Sequence, residues 1–165
     1  MRAVQERRPV AALRAVPPSA LLVALGVVIV DHITKWWALR TLIDHNIDIV
    51  WKLRFNLVRN GGGAFGLGSR FAPLFALAAL GIVLFLFRSG GTFGSRWSHI
   101  AVGLVLGGAV GNLLDRLLRD GHGFLGGRVV DFIDIQIWPV WNVADMAVSI
   151  GAVLLALTAD ARTEE

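Results

Sequence analysis

The feature that most constrains this chain is a set of apolar runs too long and too free of charge for a fold in water. Residues 71–87 (FAPLFALAALGIVLFLF) contain no charged side chain, and a run of that length just reaches across the hydrocarbon core of a bilayer. Residues 98–118 are apolar as far as Leu114, and residues 139–158, entered through Pro139, form a similar run. Near the N-terminus, Ser19 to Val30 could pass for the core of a signal peptide. No small-residue cleavage site follows it, however; Asp31, His32 and Lys35 do. Residues 18–40 are therefore read as a retained first helix, with Trp36 and Trp37 near an interface. Composition agrees. Hydrophobic residues make up 55% of the 165 positions and charged residues only 17%, against roughly 25% in an average soluble domain. The expected fold is a polytopic α-helical membrane protein. Its four transmembrane helices lie at about 18–40, 71–87, 98–118 and 139–158, between polar tails at 1–17 and 159–165.

Residues 41–70 follow another rule. Apolar side chains fall at Ile47, Ile49, Trp51, Leu53, Phe55 and Leu57, and most positions between them are polar, including Asp48, Lys52, Arg54 and Asn56. Alternation of this kind predicts a half-buried strand, which Gly61, Gly62 and Gly63 then interrupt. Beside membrane helices, an amphipathic strand belongs on the membrane surface. A second extramembrane segment spans 119–138.

Charge narrows the partners. The net charge is +4, but the basic residues are scattered and form no nucleic-acid-binding motif. They suit anionic lipid headgroups instead. The absence of cysteine excludes thiolate nucleophiles, disulfides and cysteine-based metal sites. Histidine stands only at 32, 45, 99 and 122, with no H-E-x-x-H pair for zinc, and no serine lies in a G-x-S-x-G elbow. No metal or cofactor is expected.

What remains is acid chemistry. A carboxylate within hydrocarbon costs about 2.5–3.5 kcal/mol on insertion scales, so Asp31, Asp115 and Asp145 in predicted helices need a reason. Asp131 needs one too, in a short apolar run (VVDFI) that holds it near the membrane surface. Asn142 and Asp145 are three apart and share a helix face, as Asn112 does with Asp115 and Arg116. Two carboxylates brought close share a proton. The ionised one activates water and the protonated one donates to a carbonyl, which is aspartic proteolysis. Spacing leaves open which two of the four are paired. The pair Asp115–Arg116 reads as structural, Asp31 as a buried contact to Asn60 or a helix-end charge, and Asp134 as solvated. Gly103, Gly107, Gly108 and Gly111 read as a close helix-packing face.

Five blocks, in order, carry a resemblance. They are Asp31-x-x-Thr34-Lys35, R-N-G-G-G-A-F-G at 59–66, G-G-A-V-G-N-L-L-D-R at 107–116, V-V-D-F at 129–132 and W-N-V-A-D at 141–145. The sequence resembles the lipoprotein signal peptidases (signal peptidase II), an intramembrane aspartic protease family. The resemblance implies a catalytic dyad of Asp131 and Asp145. It implies supporting or substrate-binding roles for Asn60, Asn112, Arg116 and Asn142, and structural or orienting roles for Asp31 and Lys35. It makes the 41–70 strand a small β-cradle between helices 1 and 2, and the segment between helices 3 and 4 a flap. It implies a substrate, a prolipoprotein whose lipobox cysteine carries diacylglycerol, cut just before that cysteine. It also implies residence in the bacterial cytoplasmic (inner) membrane, with both termini cytoplasmic and the dyad towards the outer leaflet. One chain carries both acids, so a monomer suffices. Two departures stand out: Gly61 and Gly63 in the second block, and a long Gly-rich stretch (RDGHGFLGGR) at 119–128. The competing reading is a small transporter or proton-conducting protein using the same acids as a relay. It is disfavoured by the lack of an internal repeat.

Overall fold

The computed structural model describes residues 16–62, 72–89, 94–121 and 123–160. Most of both expected tails, the end of the second block from Gly63 onwards, and the middle of the 88–97 loop lie outside these residues. In chain order the elements are α1 (Pro18–Thr41), β1 (Ile47–Val50), β2 (Leu53–Asn60), α2 (Ala72–Ser89), α3 (Arg96–Leu118), β3 (Val129–Asp134) and α4 (Val143–Asp160).

Local chemistry sets the ends of these helices. α1 starts on Pro18, whose missing N–H and fixed φ suit a first helical position. It closes with Arg40 in its last turn, where a cation complements the helix dipole. Ser95 caps α3 by accepting from the Ser98 amide at 3.0 Å. α1 and α3 are long and apolar enough to cross a membrane; α2 and α4 carry the shorter apolar stretches Pro73–Arg88 and Val143–Thr158. Large apolar side chains such as Leu22, Ile33, Phe85, Val153 and Leu157 face outward. In water such a surface would be an aggregation liability.

The inside of the bundle is small and polar by comparison. α3 is central and packs against α1, α2 and α4. Its glycines make that possible: a Cβ on Gly103 would lie 2.6 Å from the Ala20 carbonyl oxygen, and one on Gly107 2.7 Å from that of Ala24, both on α1. One on Gly108 would run into the Ala144 carbonyl of α4. The small-residue face anticipated from spacing is thus a true close approach on two sides of α3. A bond of 3.1 Å between Ser19 and His99 shows that α1 and α3 begin at the same end of the bundle.

At the opposite end sits a three-stranded antiparallel sheet in the order β1-β2-β3. The single strand expected over 47–57 is instead a hairpin. Its two-residue turn places Trp51 at φ 51°, the left-handed region that a bulky residue rarely adopts, and leaves the ring 87% exposed. The third strand comes from the segment between α3 and α4. There Val58 pairs with Asp131, Arg59 with Val130 and Asn60 with Val129. Because side chains alternate across a strand, Asn60 and Asp131 share one face, while Arg59 and Val130 share the other. Val130 and Phe132 bury against Ala38 and Leu42 at the end of α1. Trp37 stacks edge-on against Phe55 and Phe132, with centroids 5.3 and 6.1 Å apart. Trp37 therefore packs against the sheet, whereas its neighbour Trp36 is exposed.

α4 also starts later than residue 139. Trp141 stays extended and bonds to Ile133 in both directions, at 2.9 and 3.1 Å, so the helix begins only at Val143. That delay puts Asp145 in the first helical turn.

Candidate active site

The site lies where β2, β3, the end of α3 and the start of α4 meet. Asn142 precedes α4 and acts as its cap: its side-chain oxygen accepts from the Asp145 amide at 2.9 Å, and its own amide donates to the Asp145 carboxylate at 3.2 Å. This reciprocal pair is a capping box built from Asn and Asp. It fixes Asp145 at the positive end of a helix dipole. The same Asn142 turns its side-chain N–H towards β3 and donates to Asp131 at 2.6 Å. One residue thus holds both acids.

The remaining oxygens are also engaged. Asn60 donates to Asp131 at 2.9 Å from β2. Asn112 donates to Asp145 at 2.7 Å from α3. The Asn112 oxygen accepts from Asn142 at 3.1 Å and from Lys35 at 3.0 Å, and these two donors dictate that its NH2 points at Asp145.

Lys35 is fully buried and bridges Asp31 at 2.7 Å and Asp115 at 2.9 Å. Each of those acids also holds a backbone amide of a functional element. Asp31 accepts from Ala144 at 2.9 Å, and Asp115 from Val130 at 3.2 Å. Both residues therefore tie the helices to the segments that carry the dyad candidates. Asp115 completes its pairing with Arg119, one turn on. The expected Asp115–Arg116 pair is absent; at that spacing consecutive residues diverge by about 100° around the helix. Asp31 likewise meets Lys35 and Ala144 rather than Asn60, which faces Asp131. Arg116 instead donates to the Gly127 carbonyl at 3.4 Å, lies over the Phe75 ring at 6.0 Å, and is within electrostatic range of Asp131 and Asp145.

Asp131 is 2% exposed. Its burial, and then the charge of Asp145, push its carboxyl up to about 7, against the lowering pull of Asn60, Asn142 and Lys35. Asp134, two residues on, behaves oppositely. It is buried rather than solvated, which by itself would raise it. Arg54 at 2.8 Å, the Gln136 amide at 2.7 Å and Asn56 at 3.2 Å together hold it below the usual carboxylate range. The motif blocks gave no sign of this cluster; the charge complement of Arg54 in an alternating strand was the available signal.

Both acids open onto a cleft of about 630 Å³. Its polar end holds Asn60, Asn112 and Arg116 beside the two carboxyls, and apolar side chains such as Phe75, Ile82 and Trp138 line the rest. Among the described residues, no group of three or more His, Asp or Glu side chains is arranged to hold a metal ion. A half-neutralised carboxyl next to a second acid, over an apolar trough, is equipped to move protons on and off a peptide bond.

Residues 23–160 match the model of the family described as signal peptidase (SPase) II. The chain is similar to the lipoprotein signal peptidase of Mycobacterium leprae (strain Br4923), at 39% identity over 139 residues, covering 83% of this chain and 69% of that one. It is similar to that of Rhodococcus jostii (strain RHA1), at 41% over 142 residues, covering 83% and 70%. A solved bacterial membrane enzyme superposes with a TM-score of 0.74 at 29% identity, covering 92% of this chain and 95% of that structure.

Proposed function

The chain belongs to the signal peptidase II family, and from that premise we propose that it is a bacterial membrane peptidase that removes signal peptides from prolipoproteins by a two-aspartate mechanism. Asp131 and Asp145 are the catalytic pair. The observation that carries the reading is the single bridge of Asn142 to both carboxyls at the polar end of an apolar cleft.

Asp131, raised to about 7, is the protonated member near neutral pH, and Asp145 is the ionised one. Asp145 takes a proton from water as the oxygen attacks the scissile carbonyl. Asp131 gives its proton to the carbonyl oxygen, which yields a tetrahedral diol. Collapse returns a proton to Asp131 from one hydroxyl, while Asp145 passes its proton to the departing amine. Each acid ends as it began, and one water has been consumed. Asn60, Asn112 and Asn142 fix the four carboxyl oxygens throughout. Arg116 supplies a positive charge beside a dyad that carries one net negative charge, which limits the penalty of burying it.

The substrate is a prolipoprotein whose cysteine already bears diacylglycerol, cut just before that cysteine. The apolar cleft wall of Phe75 and Ile82 on α2 and α3's opposing face accommodates the apolar signal segment and the lipid. The four helices all span the bacterial cytoplasmic membrane, both termini are cytoplasmic, and the sheet and dyad lie towards the outer leaflet. A monomer is sufficient. The relay reading is less well served, because the acids gather at one end of the bundle and on a strand, where a transmembrane path would need them near the midplane.

The test compares diacylglyceryl-modified prolipoprotein with its unmodified precursor, incubated with purified protein in lipid and resolved by gel shift. Cleavage of the modified substrate alone is expected. Equal cleavage of both would remove the lipid from the substrate definition. No cleavage by folded protein would favour the relay, to be measured as proton flux in liposomes.

A further inference from the structure

The sheet has a second cavity on its reverse side, of about 560 Å³. Arg59, Arg119 and Arg128 line it, with Asp120, Leu39 and Leu118. The register explains its position: Arg59 pairs with Val130, one residue out of step with Asn60 and Asp131, so the cavity backs onto the dyad's sheet without opening to the dyad's cleft. Arg119 is neutralised by Asp115. Among the described residues, neither Arg59 nor Arg128 makes an ion pair. Among the described residues, Asp120 is the single acid in a lining that carries three guanidiniums, and it is exposed as Arg59 and Arg128 are. Positive charge gathered around a hollow calls for an anion, and the guanidinium fork matches phosphate oxygens bidentately.

The cavity also has an apolar side. Leu118, at the end of α3, is 75% exposed, and Leu39 stands at the corresponding end of α1. Those helix ends are where the chain leaves its apolar runs, which is the level of lipid headgroups. A polar hollow with leucines at its lip fits a ligand that has both a phosphate and a hydrocarbon tail.

We propose that this cavity binds the phosphodiester headgroup of an anionic phospholipid, with Arg59 and Arg128 donating to the phosphate oxygens and the acyl chains lying along Leu39 and Leu118. The site is separate from the dyad and rests on placement in a membrane, not on peptide cleavage. Free phosphate shares the headgroup chemistry but lacks the tail.

The experiment uses the full chain in detergent, titrated with fluorescent phosphatidylglycerol and, in parallel, phosphatidylcholine. Tight binding of phosphatidylglycerol over phosphatidylcholine is expected. At about fivefold for each arginine near a lipid surface, the Arg59→Gln/Arg128→Gln protein should bind it about thirtyfold more weakly. If the double variant fails to fold by circular dichroism, Arg128→Gln alone is read, with about a fivefold loss expected. Equal affinity in wild type and variant, or equal affinity for the two lipids, would overturn the proposal. Inorganic phosphate is the third arm. Lipid that stays bound supports the site, and lipid displaced by phosphate at comparable concentration reassigns it to the free ion and overturns the lipid claim.

Discussion

Asn60→Ala is the substitution that most sharply probes how the dyad is tuned. The Asn60 amide donates to Asp131 at 2.9 Å, and that bond favours the ionised carboxylate. It is one of the few influences lowering a group that burial and Asp145 push up to about 7. A hydrogen bond to a charged group contributes roughly 1.5 kcal/mol, close to one pKa unit. Removing it should raise the Asp131 carboxyl by about one unit. On the proposed mechanism Asp131 must be protonated, so activity is present below its pKa and falls tenfold per pH unit above it. The wild-type alkaline limb of kcat/KM is expected near 7, and that of the variant near 8. Lower activity at neutral pH is compatible with this, since Asn60 also orients the acid, but the limb must move to higher pH. The assay is cleavage of lipidated prolipoprotein across pH 5 to 9 with both proteins, each checked for intact fold. A limb that stays in place, or shifts to lower pH, would refute the assignment of Asp131 as the acid.

Two further substitutions test the frame around the site. Lys35→Met leaves Asp31 and Asp115 buried with one partner fewer each. Breaking a buried pair in this way costs about 3–5 kcal/mol, so a large fall in thermal unfolding temperature is expected by tryptophan fluorescence in detergent, partly restored by adding Asp31→Asn. Gly108→Ala drives a methyl into the Ala144 carbonyl, next to Asp145. A displacement near 1 Å at the dyad is expected to lower cleavage about a hundredfold, and Gly108→Val should also reduce the yield of folded protein measured by gel filtration.

Much of this was legible because the constraints were local. The apolar runs read as helices, since length and hydropathy suffice for that. The glycines at 103, 107 and 108 announced close packing because they repeat at helical spacing on a face that has no other reason to be bare. The capping relation of Asn142 to Asp145 was half visible as a shared face three residues apart. Non-local pairings were not legible. VVDFID is too short and too evenly apolar to show a strand's alternation, so the sequence marks β3 only as a surface run, and its register with β2 decides that Asn60 meets Asp131. The partners of Asp115 and Asp31 are hidden from the sequence for the same reason. Sequence neighbours suggested Arg116, while the fold brings Lys35 across from α1. Asp134 looked solvated because the Arg54 that neutralises it lies on another strand. Trp37 looked like an interface residue because nothing in its own helix reveals Phe55 and Phe132.

The most direct test of the central claim is the cleavage rate of lipidated prolipoprotein by Asp131→Asn and Asp145→Asn, each purified from membranes and shown to be folded. Each substitution keeps the side chain's size and removes its ability to exchange a proton. The account predicts that both proteins are inactive while an Asp134→Asn control retains substantial cleavage. Wild-type rates in either dyad variant would contradict it.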